Sequence, residues 1–215
     1  MRTEADRGEY LERLNRCYEL LAPNYFEWIG PWPTTDNSVQ SPSSFQAWLT
    51  LVGVRHFRAQ RLDGTLGEAT RPHHADVAAT HGLKHMTPPP WMWPWAGLVL
   101  LVGDFMRIAL GRPVTLRNLW REKRYNADPK VGGAERSDHI WACGGDYDFL
   151  SQHDRCIGEG VARGLYVLVP ELELSLGHGA RSLHVGILTP KGSRGPWKYG
   201  DVHERRIPLG TREAA

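Results

Sequence analysis

The chain has 215 residues, of which 41% are hydrophobic and 23% are charged, and this composition excludes an intrinsically disordered protein. Its formal net charge of +2 is too small for the concentrated basic surface that nucleic-acid binding requires, so no nucleic-acid partner is expected. The length suits one domain with a substantial core, or one domain carrying an extension.

The cysteines and the N-terminal segment bear on the compartment of the protein. Cys17, Cys143 and Cys156 are odd in number and form no CxxC spacing, so reduced thiols are expected. The N-terminal segment MRTEADRGEYLERL is charged throughout and lacks the apolar core of a signal peptide. The apolar stretch 96–105 is about half as long as the roughly 20 residues that cross a bilayer. We therefore expect synthesis in the cytoplasm and no membrane span.

Residues 1–87 are predicted to form an N-terminal extension of helical and irregular segments. Apolar residues at helical spacing predict a helix over 5–21. Residues 22–45 are rich in Pro, Ser, Asn and Trp and predict a loop, and residues 45–60 predict a second helix. Residues 61–90 are predicted to be irregular, so the extension offers no recognisable unit of its own.

The main domain is predicted over residues 88–200, followed by a tail over 201–215. Its strongest element is an apolar helix over 94–110, with Pro94 in the first turn and Gly111 at its end. This helix is expected to lie in the core of the domain.

The rest of the main domain predicts short strands and one further helix. A strand, a short helical turn and a Gly-rich loop are predicted at 114–119, 121–127 and 128–136. A strand over 145–149 and a helix over 150–163, ending at Gly164, should follow. Strands over 165–176 and 181–188 should form a hairpin with His178 at its turn. The pattern predicts an α+β fold, a small antiparallel sheet with packed helices.

Three polar residues of the main domain are candidate metal ligands: His139, Asp146 seven residues later, and His184. Imidazole and carboxylate groups suit zinc, and three protein ligands leave a fourth position for water, as in catalytic zinc sites. Strand alternation turns His184 away from the core that Leu183 and Val185 face. The spacing alone leaves open that the three residues are unrelated.

Three motifs in the same order resemble those of a known family. The segment PVTLRNLWREKRYN over 113–126 resembles an S-G-Y-R-S-x-x-Y-N element, and VGGAERSDH over 131–139 resembles v-G-G-a-x-x-S-x-H. The signature S-x-H-x-x-G-x-A-x-D maps onto residues 137–146, and Leu-His-Val over 183–185 resembles a late v-H-v. These elements, covering about 88–190, resemble the M15-type zinc peptidases, which include D-Ala-D-Ala carboxypeptidases and phage endolysins.

The resemblance implies a hedgehog/DD-peptidase-like fold and a zinc ion held by His139, Asp146 and His184. It implies that Arg121 polarises the scissile carbonyl. It also implies that Ser137 supports the site by hydrogen bonding and contacts the substrate. The substrate would be the stem peptide of bacterial peptidoglycan, reached through a delivery system of the cell or phage. Residues after the last strand would line the substrate cleft, and they are Arg194, Trp197 and Tyr199.

The general base is where the chain departs from the family. Arg181 and Gly186 occupy the two positions at which the family carries an acid. His178 is the preferred candidate for the base, since an imidazole titrates near neutral pH. Asp148 and Glu173 are the other candidates. The missing carboxylate keeps open a second reading, a non-catalytic zinc-stabilised module that binds a cell-wall peptide or a protein partner.

Further polar residues admit two interpretations. Asp138 is expected to face solvent, and Cys143 would make the zinc site four-coordinate and structural if it reached the metal. A second set of histidines is either a metal-binding tract or a solvated polar loop, and it comprises His73, His74, His81 and His85.

Overall fold

The computed structural model describes residues 4–21, 40–135, 137–188 and 197–198. Their helices are α1 Glu4–Leu21, α2 Pro42–Leu51, α3 Ala75–Thr80, α4 Trp93–Leu110, α5 Lys123–Asn126 and α6 Gln152–Leu168. Their strands are β1 Thr115–Asn118, β2 Gly144–Asp148, β3 Ser175–His178, β4 Ser182–Gly186 and β5 Trp197–Lys198. Helices packed with a small sheet confirm the predicted α+β class.

The sheet has the strand order β1-β2-β4-β3-β5. Its first four strands are antiparallel neighbours, and the two-residue β5 pairs with β3 in parallel. The register sets Asn118 opposite Asp146, and Asp146 opposite His184. Directly paired residues share one face of a sheet, so these three side chains lie together, while Tyr147 and Leu183 lie on the other face.

Helix α4 forms the centre of the core. Leu98, Val99 and Leu100 are fully buried, and the apolar sides of α1 and α2 pack in the same cluster. A Cβ at Gly97 would lie 2.6 Å from the Trp48 ring of α2, so only glycine allows this close approach. The hydroxyl of Tyr147 donates a hydrogen bond to the Val99 carbonyl at 2.6 Å, which joins the sheet to the helix.

The ends and length of α4 follow the sequence prediction. Gly111 adopts the left-handed conformation, with φ 61°, and ends the helix where expected. Residues 90–110 have a mean hydropathy of 1.3 and are long enough to cross a membrane. However, 72% of that window is buried inside the protein, as in the core helix of a soluble fold. The absence of a membrane span stays a prediction.

The predicted strand over 165–176 is wrong, because α6 continues to Leu168. Ala162 and Leu165 are buried at helical spacing against the core, and this burial carries the helix past the expected stop. Gly164 is not among the residues with positive φ, so it does not form the left-handed cap that would end the helix. The strand that follows is only the short β3.

The N-terminal predictions are partly corrected. α2 ends at Leu51 instead of near residue 60, and Gly53 follows with φ 85°. The irregular region contains the short helix α3 and a bridge between Gln60 and Leu66. The predicted loop over 22–45 lies outside the described residues as far as residue 39, and the tail over 201–215 lies outside them entirely.

Candidate metal centre

The sheet and a short 3-10 helix bring the three candidate ligands to one place. Asp146 of β2 and His184 of β4 are directly paired, and His139 lies in a 3-10 helix, Asp138–Trp141, that leads into β2. Their exposed fractions are 0%, 4% and 3%. One ligand atom from each residue lies within 4.8 Å of the others. The predicted convergence of the three residues is therefore confirmed.

The donor atoms lie slightly closer together than they would around a single small cation. His139 Nε2 lies 3.1 Å from Asp146 Oδ2, and His184 Nδ1 lies 2.8 Å from Asp146 Oδ1. Ligand atoms about 2.0–2.2 Å from a tetrahedral zinc are roughly 3.3–3.6 Å apart, so small side-chain shifts would admit the ion. Two imidazoles and one carboxylate are donors that zinc and related divalent ions accept. The group can hold a metal ion.

The orientation of His139 is fixed by the backbone around it. Its Nδ1–H donates to the Leu119 carbonyl at 2.8 Å, which turns Nε2 toward Asp146. The Arg121 amide donates to the His139 carbonyl at 3.1 Å. Ser137 caps the 3-10 helix, and its hydroxyl accepts from the His139 amide at 3.3 Å. Ser137 thus supports the site as expected, and a contact with substrate stays a prediction.

Asp138 is not exposed, so the expectation that it faces solvent is wrong. It is 8% exposed, and its Oδ2 lies 3.4 Å from His184 Nε2. Gly144 makes room for this approach, since a Cβ there would lie 2.8 Å from the Asp138 Cβ and 2.9 Å from the His184 Cε1. A carboxylate that accepts from Nε2–H leaves Nδ1 of His184 available to a metal. Asp138 therefore orients the His184 imidazole.

Replacing Asp138 with asparagine should weaken metal binding without abolishing it. Loss of an acceptor behind a metal-bound imidazole typically costs about 10–100-fold in metal affinity. The measurement is a competition titration of zinc against a chromophoric chelator. Asp128→Asn is the matched control, because Asp128 pairs with His81 and not with the triad. The Asp128 Oδ2 and His81 Nε2 atoms are 3.3 Å apart. Equal affinity in Asp138→Asn and the unsubstituted protein would contradict the orienting role.

Asp146 is the carboxylate that the other side chains of the cluster contact. Its Oδ2 accepts from Arg121 Nη2 at 3.0 Å and from Asn118 Nδ2 at 3.1 Å. Burial alone would raise the pKa of this carboxyl, but His139 and His184 outweigh burial and hold the pKa well below its usual range. Asp146 is therefore ionised at neutral pH, as a metal ligand must be.

The two histidines differ in their proton affinity in the metal-free protein. Burial lowers the pKa of His139, and the neighbouring Asp146 only partly opposes this shift. Burial also acts to lower the pKa of His184, but hydrogen bonds to Asp138 and Asp146 outweigh it and raise the pKa to about 9. A metal at this site must then displace a proton from His184 below that pH.

Metal affinity should consequently rise with pH. His184 is protonated below its pKa of about 9, and metal and proton compete for the same imidazole. The apparent affinity should increase by up to about tenfold per pH unit from neutral pH and level off near the pKa. Zinc titrations between neutral and alkaline pH, corrected for the chelator's own protonation, measure this slope. A flat profile would show that no such proton is displaced.

His178 does not reach the metal centre, so its expected role as general base is wrong. It is the last residue of β3 instead of a turn residue, and it pairs with Leu183, on the face opposite His184. Its Nδ1 lies 3.1 Å from Arg155 Nη1 and 3.2 Å from Glu159 Oε2, both on α6. The strand extends to this residue, and alternation then points its side chain toward the helix.

The other candidate bases are engaged elsewhere. Asp148 lies on the same sheet face as Asp146 but forms an ion pair with Arg117, whose Nε donates to it at 2.8 Å. Glu173 pairs with Arg13 of α1. Neither carboxylate is part of the metal-binding group.

Arg121 lies beside the centre, in contact with Asp146, and its role as a substrate-polarising group stays a prediction. It is 9% exposed, and its Nε is buried with no hydrogen-bond partner among the described residues. Trp197 contributes backbone to β5, but its side chain lies outside the described residues, as do Arg194 and Tyr199. Their contact with a substrate stays a prediction.

The remaining candidates do not form a second centre. His73 and His74 pack ring against ring with centroids 4.5 Å apart, and His81 pairs with Asp128. In the described part of the chain, only the triad forms a group of three or more metal-binding side chains. Cys143 is buried, its thiol donates to the Asp138 carbonyl at 3.4 Å, and it is not part of that group.

Comparison with family models, with curated proteins and with solved structures gives no match for this chain. The resemblance to M15-type peptidases therefore depends on the motifs alone. Two contacts at the site are not predicted from the sequence, that of Asn118 with Asp146 and that of Asp138 with His184. The pairing of the strands that carry Asn118 and Asp146 is the signal for the first contact. Gly144 is the signal for the second, because a Cβ there would crowd both Asp138 and His184.

Proposed function

We propose that this protein is a zinc-dependent peptidase that hydrolyses peptide bonds in the stem peptides of bacterial peptidoglycan. The observation that carries the proposal is the convergence of His139, Asp146 and His184, each at most 4% exposed, at one point of the sheet. The order and offsets of the motifs that resemble M15-type peptidases support the choice of substrate. Delivery to the cell wall by another system belongs to the same proposal.

His139, Asp146 and His184 would hold the zinc, with their geometry maintained by Leu119, Asp138 and Asn118. Zinc bound by three protein ligands supplies Lewis acidity and lowers the pKa of water to about 7. Asp146 is already ionised, as ligation requires, whereas His184 would release a proton when the ion binds.

Arg121 is the residue suited to stabilise the reacting carbonyl oxygen. Its Nη2 is held by Asp146, while its buried Nε–H has no acceptor among the described residues. A guanidinium kept in place beside developing negative charge, in a site with little water, contributes strongly to catalysis. The donor geometry therefore supports a role in transition-state binding over a purely structural ion pair.

A second candidate function is a zinc-stabilised binding module without catalytic activity. The observation that favours it is the placement of His178 against α6, which removes the preferred base from the site. The two positions at which the resembled family carries an acid hold Arg181 and Gly186. In this alternative, zinc would stabilise the fold and the same cleft would bind a peptide without cleaving it.

Hydrolysis assays distinguish the two functions. The zinc-loaded protein is incubated with purified peptidoglycan and with the dipeptide D-Ala-D-Ala, and new amino groups are followed by mass spectrometry. The peptidase proposal expects products that disappear with a chelator and return when zinc is restored. Zinc binding without any product would leave the binding module as the function.

A further inference from the structure

A groove of about 620 Å³ lies on the same side of the sheet as the metal centre. Thr115, Arg117 and Asp148 line it from the sheet, and Asp148 is two residues along β2 from the ligand Asp146. Residues two apart on a strand point to the same face and lie about 7 Å apart along it. The groove therefore adjoins the metal centre along the strand direction.

Three cationic side chains line this groove: Arg71, Lys84 and Arg117. Arg117 is neutralised by its two-point contact with Asp148. Arg71 and Lys84 are exposed, and neither lies in an ion pair among the described residues. The groove thus presents two cations that its own sheet residues do not neutralise.

The second acid of the groove, Glu68, makes its hydrogen bond and its ion pair with groups other than Arg71 and Lys84. Glu68 accepts from the Leu116 amide at 3.3 Å and pairs with Arg107 at 3.6 Å. Burial raises the pKa of Glu68, although Arg71 and Arg107 act against this shift. The Glu68 carboxylate therefore bonds to the Leu116 amide and to Arg107, and Arg107 does not line the groove.

The groove also lies within electrostatic reach of the proposed catalytic arginine. His73 lines the groove, and its pKa is lowered by burial first and then by the charges of His74, Arg117 and Arg121, while Asp148 acts in the opposite direction. Arg117 and Arg121 thus act on the same groove residue.

We infer that this groove binds a carboxylate of the peptide substrate through Arg71 and Lys84, so that the preferred peptides carry an acidic residue near the scissile bond. This inference rests on the proposed function, since it names the substrate class of that site. A carboxylate is the acid that a peptide supplies, and charge-assisted hydrogen bonds from guanidinium and ammonium groups are the strong ones.

The test is peptide binding to the metal-free protein, which keeps it independent of zinc binding and hydrolysis. Two acetylated and amidated tetrapeptides, Ala-Glu-Ala-Ala and Ala-Gln-Ala-Ala, differ only by one carboxylate. Chemical-shift titration should give a Kd about tenfold lower for the acidic peptide at low salt, and the preference should shrink as salt is added. Shifts should concentrate on the backbone amides of residues 71–84 and 115–117.

Variants identify the residues responsible. Arg71→Ala combined with Lys84→Ala should remove the preference for the acidic peptide. Arg16→Ala combined with Lys130→Ala removes the same charge from exposed sites outside the groove. This control variant should retain the preference for the acidic peptide. Equal affinity for both peptides, or a preference that survives the groove variant, would overturn the inference.

Inorganic phosphate separates a peptide carboxylate from a phosphate as the ligand. If phosphate binds more tightly than the acidic peptide, and the groove variant removes this binding, the groove is a phosphate site and the inference is wrong. If the acidic peptide binds more tightly, the inference is supported. If the acidic peptide shows no preferential binding, the inference about the groove is wrong, but the proposed zinc site is unaffected. If zinc loading or hydrolysis fails, the proposed function is refuted, and the peptide titrations keep their own result.

Discussion

Replacing Asp146 with asparagine is expected to abolish metal binding. Asp146 is the fully buried carboxylate that faces both imidazoles, at 3.1 Å from His139 and 2.8 Å from His184. Asparagine keeps the shape but removes the charge that a divalent ion requires, so one strong ligand is lost. Metal analysis after dialysis against zinc should fall from about one ion per chain to near zero, since three protein ligands hold such sites.

Two further proteins make this result interpretable. Asp148→Asn changes the next residue on the same sheet face and should retain full zinc, because Asp148 pairs with Arg117 instead of the triad. Leaving Arg121 without its buried partner can cost about 3–5 kcal/mol of folding free energy, so circular dichroism must show that Asp146→Asn is folded. If it is not, His139→Gln tests the same loss. Full zinc in a folded ligand variant would refute the site.

Replacing Arg121 with lysine should reduce peptide hydrolysis by about 100–1,000-fold while zinc remains bound. Lysine keeps the positive charge but lacks the fork that donates to Asp146 from Nη2 and leaves Nε–H for a substrate oxygen. The loss should appear in kcat more than in KM, because the interaction is made with charge that develops during the reaction. Steady-state kinetics with the peptide substrate measures it.

Zinc content is the control for the arginine variant. Arg121 touches the ligand Asp146, so a fall in activity is informative only where zinc is retained. Arg124→Lys, at a mostly exposed side chain in α5, serves as the matched substitution and should leave kcat unchanged. If the Arg121→Lys variant keeps both its activity and its zinc, the prediction is wrong, and Arg121 is only a structural partner of Asp146.

The parts of the fold that the sequence predicts well are those with a strong local signal. The apolar run from Pro94 and the left-handed Gly111 define α4 correctly, because burial and capping act within the helix itself. The strand β2 and the hairpin of β3 and β4 follow from alternation. The error at 165–176 arose because that segment is apolar enough for either structure, and tertiary packing of Leu165 decided for helix.

The candidate site, like the fold, is predicted only in part from the sequence. His139, Asp146 and His184 could be selected by residue type and motif order, since metal ligands depend on chemistry that a sequence displays. The burial of Asp138 and the orientation of His178 could not, because each depends on where one short turn begins or ends. A shift of one residue along a strand moves a side chain to the opposite face of the sheet. For this reason the His178 side chain faces α6 and not the metal centre.

Zinc K-edge X-ray absorption on the zinc-loaded protein can show whether His139, Asp146 and His184 bind one divalent metal together. We expect a first shell of nitrogen and oxygen atoms at about 2.0–2.2 Å, with the outer-shell scattering of two imidazoles and no sulfur. A sulfur shell at about 2.3 Å, which would implicate a cysteine such as Cys143, would contradict this expectation. A purified protein that cannot be loaded with zinc would contradict it equally.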